Sequence, residues 1–400
     1  MARRQITFIL VRVLAGYIGR IQRTVVDYRA AAAARIQGWN KYIDHMHQNR
    51  EIDSAVFRDH IIPNPSWVHA FGICVFRQTV LMLSAYHVRV DCCRFAIDAG
   101  ADVDTRGTNY CTALHIAAES CHVDVCRLLV ASGADIALKC QIYNYAGGCT
   151  LLEHAVRNGH VAQRQCVDVC RFLVQNGANV NARDDEGSTA LHQSAWSCQL
   201  YSQRNIELCR FLMEAGANVN AEDDEGTTVL HVAVRHRRIE VCRYLLDIGA
   251  DVSAKSCHST PLHVYASSGE SDMKDGVLQL LFDSVIDVHA VNDKGRTALH
   301  TAAHISYYDP RIANTTIAFL VKAGARVRAV DHDGCTALLL ATEAGMVANV
   351  RSLVESGANV NETNNSGATA FELASKCFVY ERGKEIQCYL RSVGAGAGKL

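Results

Sequence analysis

The sequence predicts an all-α solenoid of stacked helix pairs, and three observations predict it. A phrase of the form Thr-x-Leu opens nine registers, at Thr79, Thr112, Thr150, Thr189, Thr228, Thr260, Thr297, Thr336 and Thr369 (the last with Phe371 for leucine), spaced 32 to 39 residues apart. A second phrase, Gly-Ala-Asp/Asn-Val, follows at 100–103, 177–180, 216–219, 249–252 and 357–360, with a near copy at 133–136. Between the two, apolar residues fall three and four apart, as in Val125, Leu128 and Leu129, which is the pattern of an amphipathic helix. A fixed period of this size marks a repeat array and takes precedence over a domain count drawn from length.

Each element of the unit follows in order. The threonine hydroxyl is placed to cap the first helix, worth about 0.5 to 2 kcal/mol on replacement by alanine. A small apolar run such as Ile116-Ala117-Ala118 continues that helix. The glycine downstream ends the second helix, because a residue without Cβ enters the left-handed region freely. The unit therefore reads helix, short turn, helix, polar turn. One such pair cannot bury its apolar face alone, so it is stabilised by neighbours on both sides.

Departures from the pattern are informative. The stretch from threonine to glycine is 21 residues in the unit opening at Thr112 but 27 in those opening at Thr150, Thr189 and Thr297. The sequence places these additions between the two helices. The inserts at 196–205 and 304–314 carry Trp196, Tyr201, Arg204, Tyr307, Tyr308 and Arg311, residue types that dominate protein-binding hot spots. The rings folding back onto their own helices is the alternative. The sixth unit has Ser284-Val285-Ile286 in place of Gly-Ala-Asp. The units at the two ends are atypical, as caps are.

The run Thr-Ala-Leu-His-x-Ala-Ala at 112–118, followed by Val-Cys-Arg-Leu-Leu-Val-x-x-Gly-Ala-Asp at 125–135, resembles the ankyrin repeat, whose unit is about 33 residues. The resemblance covers about nine repeats over residues 74–400, which divides the chain into a helical N-terminal extension, 1–70, and an ankyrin repeat domain, 71–400. It implies polar turns that project as β-hairpin fingers and a concave binding face. It implies that His115, His192, His231, His263 and His300, fourth in their phrases, bond to backbone of adjacent units. It implies also that Asn181, Asn220 and Asn361, each eight residues after a leucine (Leu173, Leu212, Leu353), are candidate substrates of an asparaginyl hydroxylase.

Composition narrows the function. Lys plus Arg number 40 against 41 for Asp plus Glu, so bulk charge gives no reason to expect nucleic acid or a membrane surface as partner. Local charge is uneven. Two neighbouring polar turns read Asp184-Asp185-Glu186-Gly187 and Asp223-Asp224-Glu225-Gly226, a cluster suited to steering a basic protein segment. Asp and Gly are also simply good turn formers.

No spanning helix is expected, since the best stretch, residues 6–18, is short and interrupted by Arg12. The 17 cysteines are read as reduced thiols. Five of them, Cys93, Cys126, Cys170, Cys209 and Cys242, stand seven residues before the glycine and suit a small buried position. No Cys-x-x-Cys occurs, so no metal is expected, and no nucleophile-elbow, metalloprotease or phosphate-loop motif is present. Neither a cofactor nor an enzymatic activity is therefore expected.

The expectation is a monomeric protein-binding scaffold or adaptor in the cytoplasm. Its alternative is a regulatory or substrate-recognition subunit whose residues 1–70 bind a second partner, with Ile36-Gln37 resembling a degenerate calmodulin-binding motif. Five arginines and no acid before Asp27 leave mitochondrial targeting as an alternative location.

Overall fold

The computed structural model describes residues 79–141, 148–157, 163–196, 202–257, 259–268, 276–304, 310–377 and 379–395. The extension at 1–70, and with it any second binding segment, lies outside them. The chain divides into two compact units, Met1–Ala178 and Asn179–Leu400. In the first unit the described elements are α1 (Val80–Tyr86), α2 (Val90–Asp98), α3 (Ala113–Glu119), α4 (Val123–Ala131), β1 (Cys140–Gln141), β2 (Gly148–Cys149), α5 (Leu151–Arg157) and α6 (Gln163–Gln175). Helices α1, α3 and α5 stack in order, and α2, α4 and α6 form a second row beside them.

The second unit repeats the scheme with α7 (Ala190–Trp196), α8 (Ser202–Glu214), α9 (Val229–Arg235), α10 (Ile239–Asp247), α11 (Pro261–Ser267) and α12 (Val277–Asp283). It continues with α13 (Ala298–His304), α14 (Pro310–Lys322), α15 (Ala337–Glu343), α16 (Val347–Glu355), α17 (Ala370–Ser375) and α18 (Tyr380–Ser392). The odd-numbered helices stack successively from α7 to α17. The architecture is the all-α repeat array that the sequence predicts.

Local chemistry explains why these segments are helices. The threonine hydroxyl accepts the backbone N–H three residues on at Thr79, Thr150, Thr228, Thr336 and Thr369. At the other end the N–H after the glycine closes back on the second helix, as Ala134 to Leu129 at 3.1 Å, Ala217 to Leu212 at 2.9 Å and Ala250 to Leu245 at 2.8 Å. The glycine itself holds a positive φ, 93° at Gly216. In the sixth repeat Val285 adopts that conformation with φ 61°, a strain of about 1 to 2 kcal/mol for a residue with a Cβ.

The core lies between the rows. The leucine of each phrase, such as Leu114, Leu191 and Leu230, is buried, and the alanines behind it let adjacent first helices approach closely. The five in-phase cysteines of the second helices are all fully buried. Burial pushes the thiols of Cys93, Cys126 and Cys170 up to about 12, so they act as small apolar side chains.

Two sequence expectations need correction. The lengthened repeats do not place all their extra residues between the helices: α6, α8 and α14 have 13 residues where α4, α10 and α16 have nine. A full turn of helix absorbs most of the insertion, because an added helical turn satisfies its own backbone hydrogen bonds.

The reading of all cysteines as reduced is also overturned, since Cys121 and Cys166 form a disulfide with Cα atoms 4.9 Å apart. Cys121 sits at the turn after α3 with φ 58°, and the extended α6 carries Cys166 up to meet it. Such a pairing depends on the added helical turn, and spacing alone does not reveal connectivity.

Candidate functional site

The phrase histidines are built into the stack. In each of the five, Nδ1 lies 2.8 to 2.9 Å from the hydroxyl of its own threonine. It lies also within 3.1 to 3.4 Å of that threonine's backbone nitrogen. The opposite nitrogen, Nε2, meets a carbonyl oxygen of the next repeat: Leu138, Thr227, Ser259, Arg296 and Cys335, at 2.8 to 3.1 Å. An N–H can only donate and a carbonyl can only accept. Nδ1 is therefore the acceptor, Nε2 carries the proton, and the ring is neutral. Burial holds all five imidazoles below their usual range, His115 at about 3 and His231 at about 4.

The fingers of the second unit are hairpins, with bridges at Arg183 and Thr189, Glu222 and Thr228, Val330 and Thr336, and Thr363 and Thr369. Five of the tips are closed by one Asp or Asn whose Oδ1 accepts two backbone N–H groups. Asp184 takes those of Glu186 and Ser188, and Asp223 those of Glu225 and Thr227. Asn292, Asp331 and Asn364 repeat the device.

Neighbouring tips are laced together by backbone. The N–H of Asp224 donates to the carbonyl of Glu186 at 3.0 Å, that of His332 to Lys294 at 2.9 Å, and that of Asn365 to Asp333 at 3.0 Å. This close approach explains the tip glycines, since a Cβ on Gly187, Gly295 or Gly334 would lie 2.7, 3.0 or 2.9 Å from the next finger's backbone nitrogen.

The two acidic tips are thus adjacent, but their six carboxylates do different work. Asp184 and Asp223 face inward to hold the turns. Asp224 is paired with the Arg183 guanidinium at 2.7 Å. Asp185, Glu186 and Glu225 are exposed. The analogous pair Arg296–Asp331, 3.0 Å apart, is buried, with the Asp331 side chain only 1% exposed. Asp331→Ala removes that partner and the acceptor of two backbone N–H groups at once, so it is expected to cost about 3 kcal/mol. Asp224→Ala, on the exposed pair, is expected to cost under about 1 kcal/mol. Urea unfolding of the two variants checks the contrast.

Of the aromatic candidates, Trp196 is 39% exposed at the end of α7 and stands edge-on to His236 of the next repeat, centroids 6.3 Å apart. Tyr201, Tyr307 and Tyr308 lie outside the described residues. Two of the candidate hydroxylation residues, Asn181 and Asn220, bind between repeats. Asn181 accepts the Asn218 N–H at 2.8 Å and donates to the Gly216 carbonyl at 2.9 Å. Asn220 accepts the Asp251 N–H at 2.8 Å. Asn361 has its N–H on Asn359 Oδ1 at 3.1 Å.

One cluster was not foreseen. Cys111, Cys140 and His154 bring their two Sγ atoms and one imidazole nitrogen within 4.8 Å of one another, with Cys140 Sγ 3.7 Å from His154 Nδ1. The neighbouring Cys140 thiol lowers the Cys111 pKa, while the Cys140 pKa rises. On the far side His154 Nε2 lies 3.0 Å from a Glu119 carboxylate oxygen, and that hydrogen bond lowers the Glu119 pKa. The spacing hides this group because no two of the three residues share a turn of helix. The available signal was positional: Cys140 stands seven residues after Gly133, where Asp184, Asp223, Asp331 and Asn364 follow Gly177, Gly216, Gly324 and Gly357. No described helix is long and apolar enough to cross a membrane.

Comparison with known protein families agrees with this geometry. A family model described as ankyrin repeats in three copies matches residues 60–140, 82–184, 137–223 and 160–256, and the single ankyrin repeat matches residues 333–365.

Proposed function

The chain belongs to the ankyrin-repeat family, and from that premise we propose that it is a non-catalytic scaffold or adaptor holding a protein partner with a basic segment. Ankyrin repeats are protein–protein interaction modules, and the family is typically non-enzymatic. The observation that carries the finer reading is the juxtaposition of two acidic fingers. The Asp224 N–H bond to Glu186 holds them in register and leaves Asp185, Glu186 and Glu225 exposed. Carboxylates presented on a rigid, laced edge accelerate encounter with a basic segment, and salt weakens that effect. The same edge carries Asn181, which we read with Asn220 and Asn361 as hydroxylation sites; a mass gain of one oxygen atom on peptides from native material would support this.

The test reverses only the residues that do not hold a turn. Proximity labelling in the native cell with the full chain should enrich a protein bearing a basic segment. The triple variant Asp185→Lys, Glu186→Lys and Glu225→Lys should lose that protein while keeping the wild-type circular dichroism. An unchanged set of labelled proteins would refute the acidic edge as the binding surface.

A further inference from the structure

We propose that Cys111, Cys140 and His154 form a zinc site that clips two consecutive repeats of the first unit together. The ligands come from separate places in the chain: Cys111 precedes the cap of α3, Cys140 begins β1, and His154 lies on α5. With zinc–sulfur bonds near 2.3 Å and zinc–nitrogen bonds near 2.0 Å, tetrahedral ligand atoms stand about 3.5 to 3.8 Å apart. Cys140 Sγ and His154 Nδ1 are already at that separation, 3.7 Å. The remaining pairs lie within 4.8 Å, so closure needs about 1 Å of side-chain adjustment at most.

The histidine is prepared for the role. Glu119 accepts at Nε2, which fixes the proton there and turns the Nδ1 lone pair toward the two thiols; a carboxylate behind a ligating imidazole is the usual supporting arrangement. The five phrase histidines offer no such lone pair, since both of their nitrogens are committed to threonine and backbone.

Cys140 adds an independent argument. In five described fingers of the second unit an Asp or Asn side chain closes the turn; Gly107 and Ser256 hold that register in two other fingers, and Cys140 holds it at this cluster, the one instance with a thiol among the described fingers. There the finger is the strand pair Cys140–Gln141 and Gly148–Cys149. A metal bridging Cys140 to Cys111 and His154 would anchor that finger where the usual side-chain acceptor is replaced. Two thiolates and an imidazole select zinc over magnesium or calcium, which take oxygen ligands. Three protein ligands leave the fourth corner to a water molecule.

The full chain, reduced with a non-coordinating phosphine and dialysed free of metal, is titrated with Zn2+ and with Co2+ as spectroscopic probe. The expected result is one tightly held zinc per chain. Cobalt should show tetrahedral visible bands with thiolate charge transfer, and X-ray absorption should show two sulfurs and one imidazole nitrogen around zinc. Cys111→Ser, Cys140→Ser and His154→Gln should each weaken binding by more than about a hundredfold, and Glu119→Ala by about ten- to a hundredfold with stoichiometry unchanged. Cys126→Ala, at a buried thiol outside the cluster, should bind as wild type. X-ray absorption on the wild-type chain decides the matter even where a ligand variant fails to fold. Cobalt without thiolate charge transfer, zinc bound through oxygen alone, or a Cys111–Cys140 disulfide found by peptide mapping of phosphine-reduced chain re-exposed to air with zinc would overturn the proposal.

Discussion

Between pH 6.5 and pH 4 the urea midpoint of the chain is expected to fall steeply, because five buried neutral histidines must remain unprotonated in the folded state. Their ordinary pKa is 6.5, and burial lowers all five, His115 to about 3 and His231 to about 4. Below pH 6.5 the unfolded chain takes up protons that the folded chain refuses, so stability rises with pH across this window and is lost as pH falls. Each histidine contributes at most about 1.4 kcal/mol per pH unit, and five together about 7 kcal/mol per unit at the limit. His122, half-buried and also lowered, acts in the same sense.

The lone pair on Nδ1 is what protonation would abolish. An imidazolium would turn that acceptor into a second donor facing the threonine N–H. Urea titrations at closely spaced pH values measure the slope, and His231→Gln should reduce it by about one histidine's share. A midpoint that stays level from pH 7 to pH 5 would contradict the neutral-ring arrangement.

Reduction of the Cys121–Cys166 bond is expected to destabilise the first unit by about 4 kcal/mol in the chain-entropy view, since the bond closes a loop of 45 residues. Both cysteines are buried, so reductant should act slowly until the unit opens. The double variant Cys121→Ala, Cys166→Ala should unfold where the reduced wild type does, and reductant should not move it further. Denaturation midpoints with and without phosphine, together with peptide mapping of the unreduced chain, measure both expectations. Equal midpoints for oxidised and reduced wild type would show that the bond does not constrain the fold.

These two results bear on different levels of information. The histidine register was legible from residue order, because Thr-x-Leu-His encodes a local geometry in which a cap and its fourth residue lie one helical turn apart. The leucine and cysteine positions were legible for the same reason, since 3.6-residue periodicity places them on one buried face. The acidic tips were visible as composition, yet their division of labour was not. Asp184 and Asp185 are neighbours of identical chemistry, and only the turn decides that one closes the hairpin while the other faces solvent.

What the chain determined by itself is the repeat: its period, its caps, its helix ends and its buried face, all of which depend on contacts within about one turn or one unit. What tertiary structure alone decided is which residues of different repeats meet. Cys121 with Cys166, Cys111 with Cys140 and His154, and Arg296 with Asp331 are brought together by stacking distance and by helical turns added within a repeat. Such meetings depend on where each unit sits against the next, a quantity that side-chain identity along a single strand of sequence does not contain.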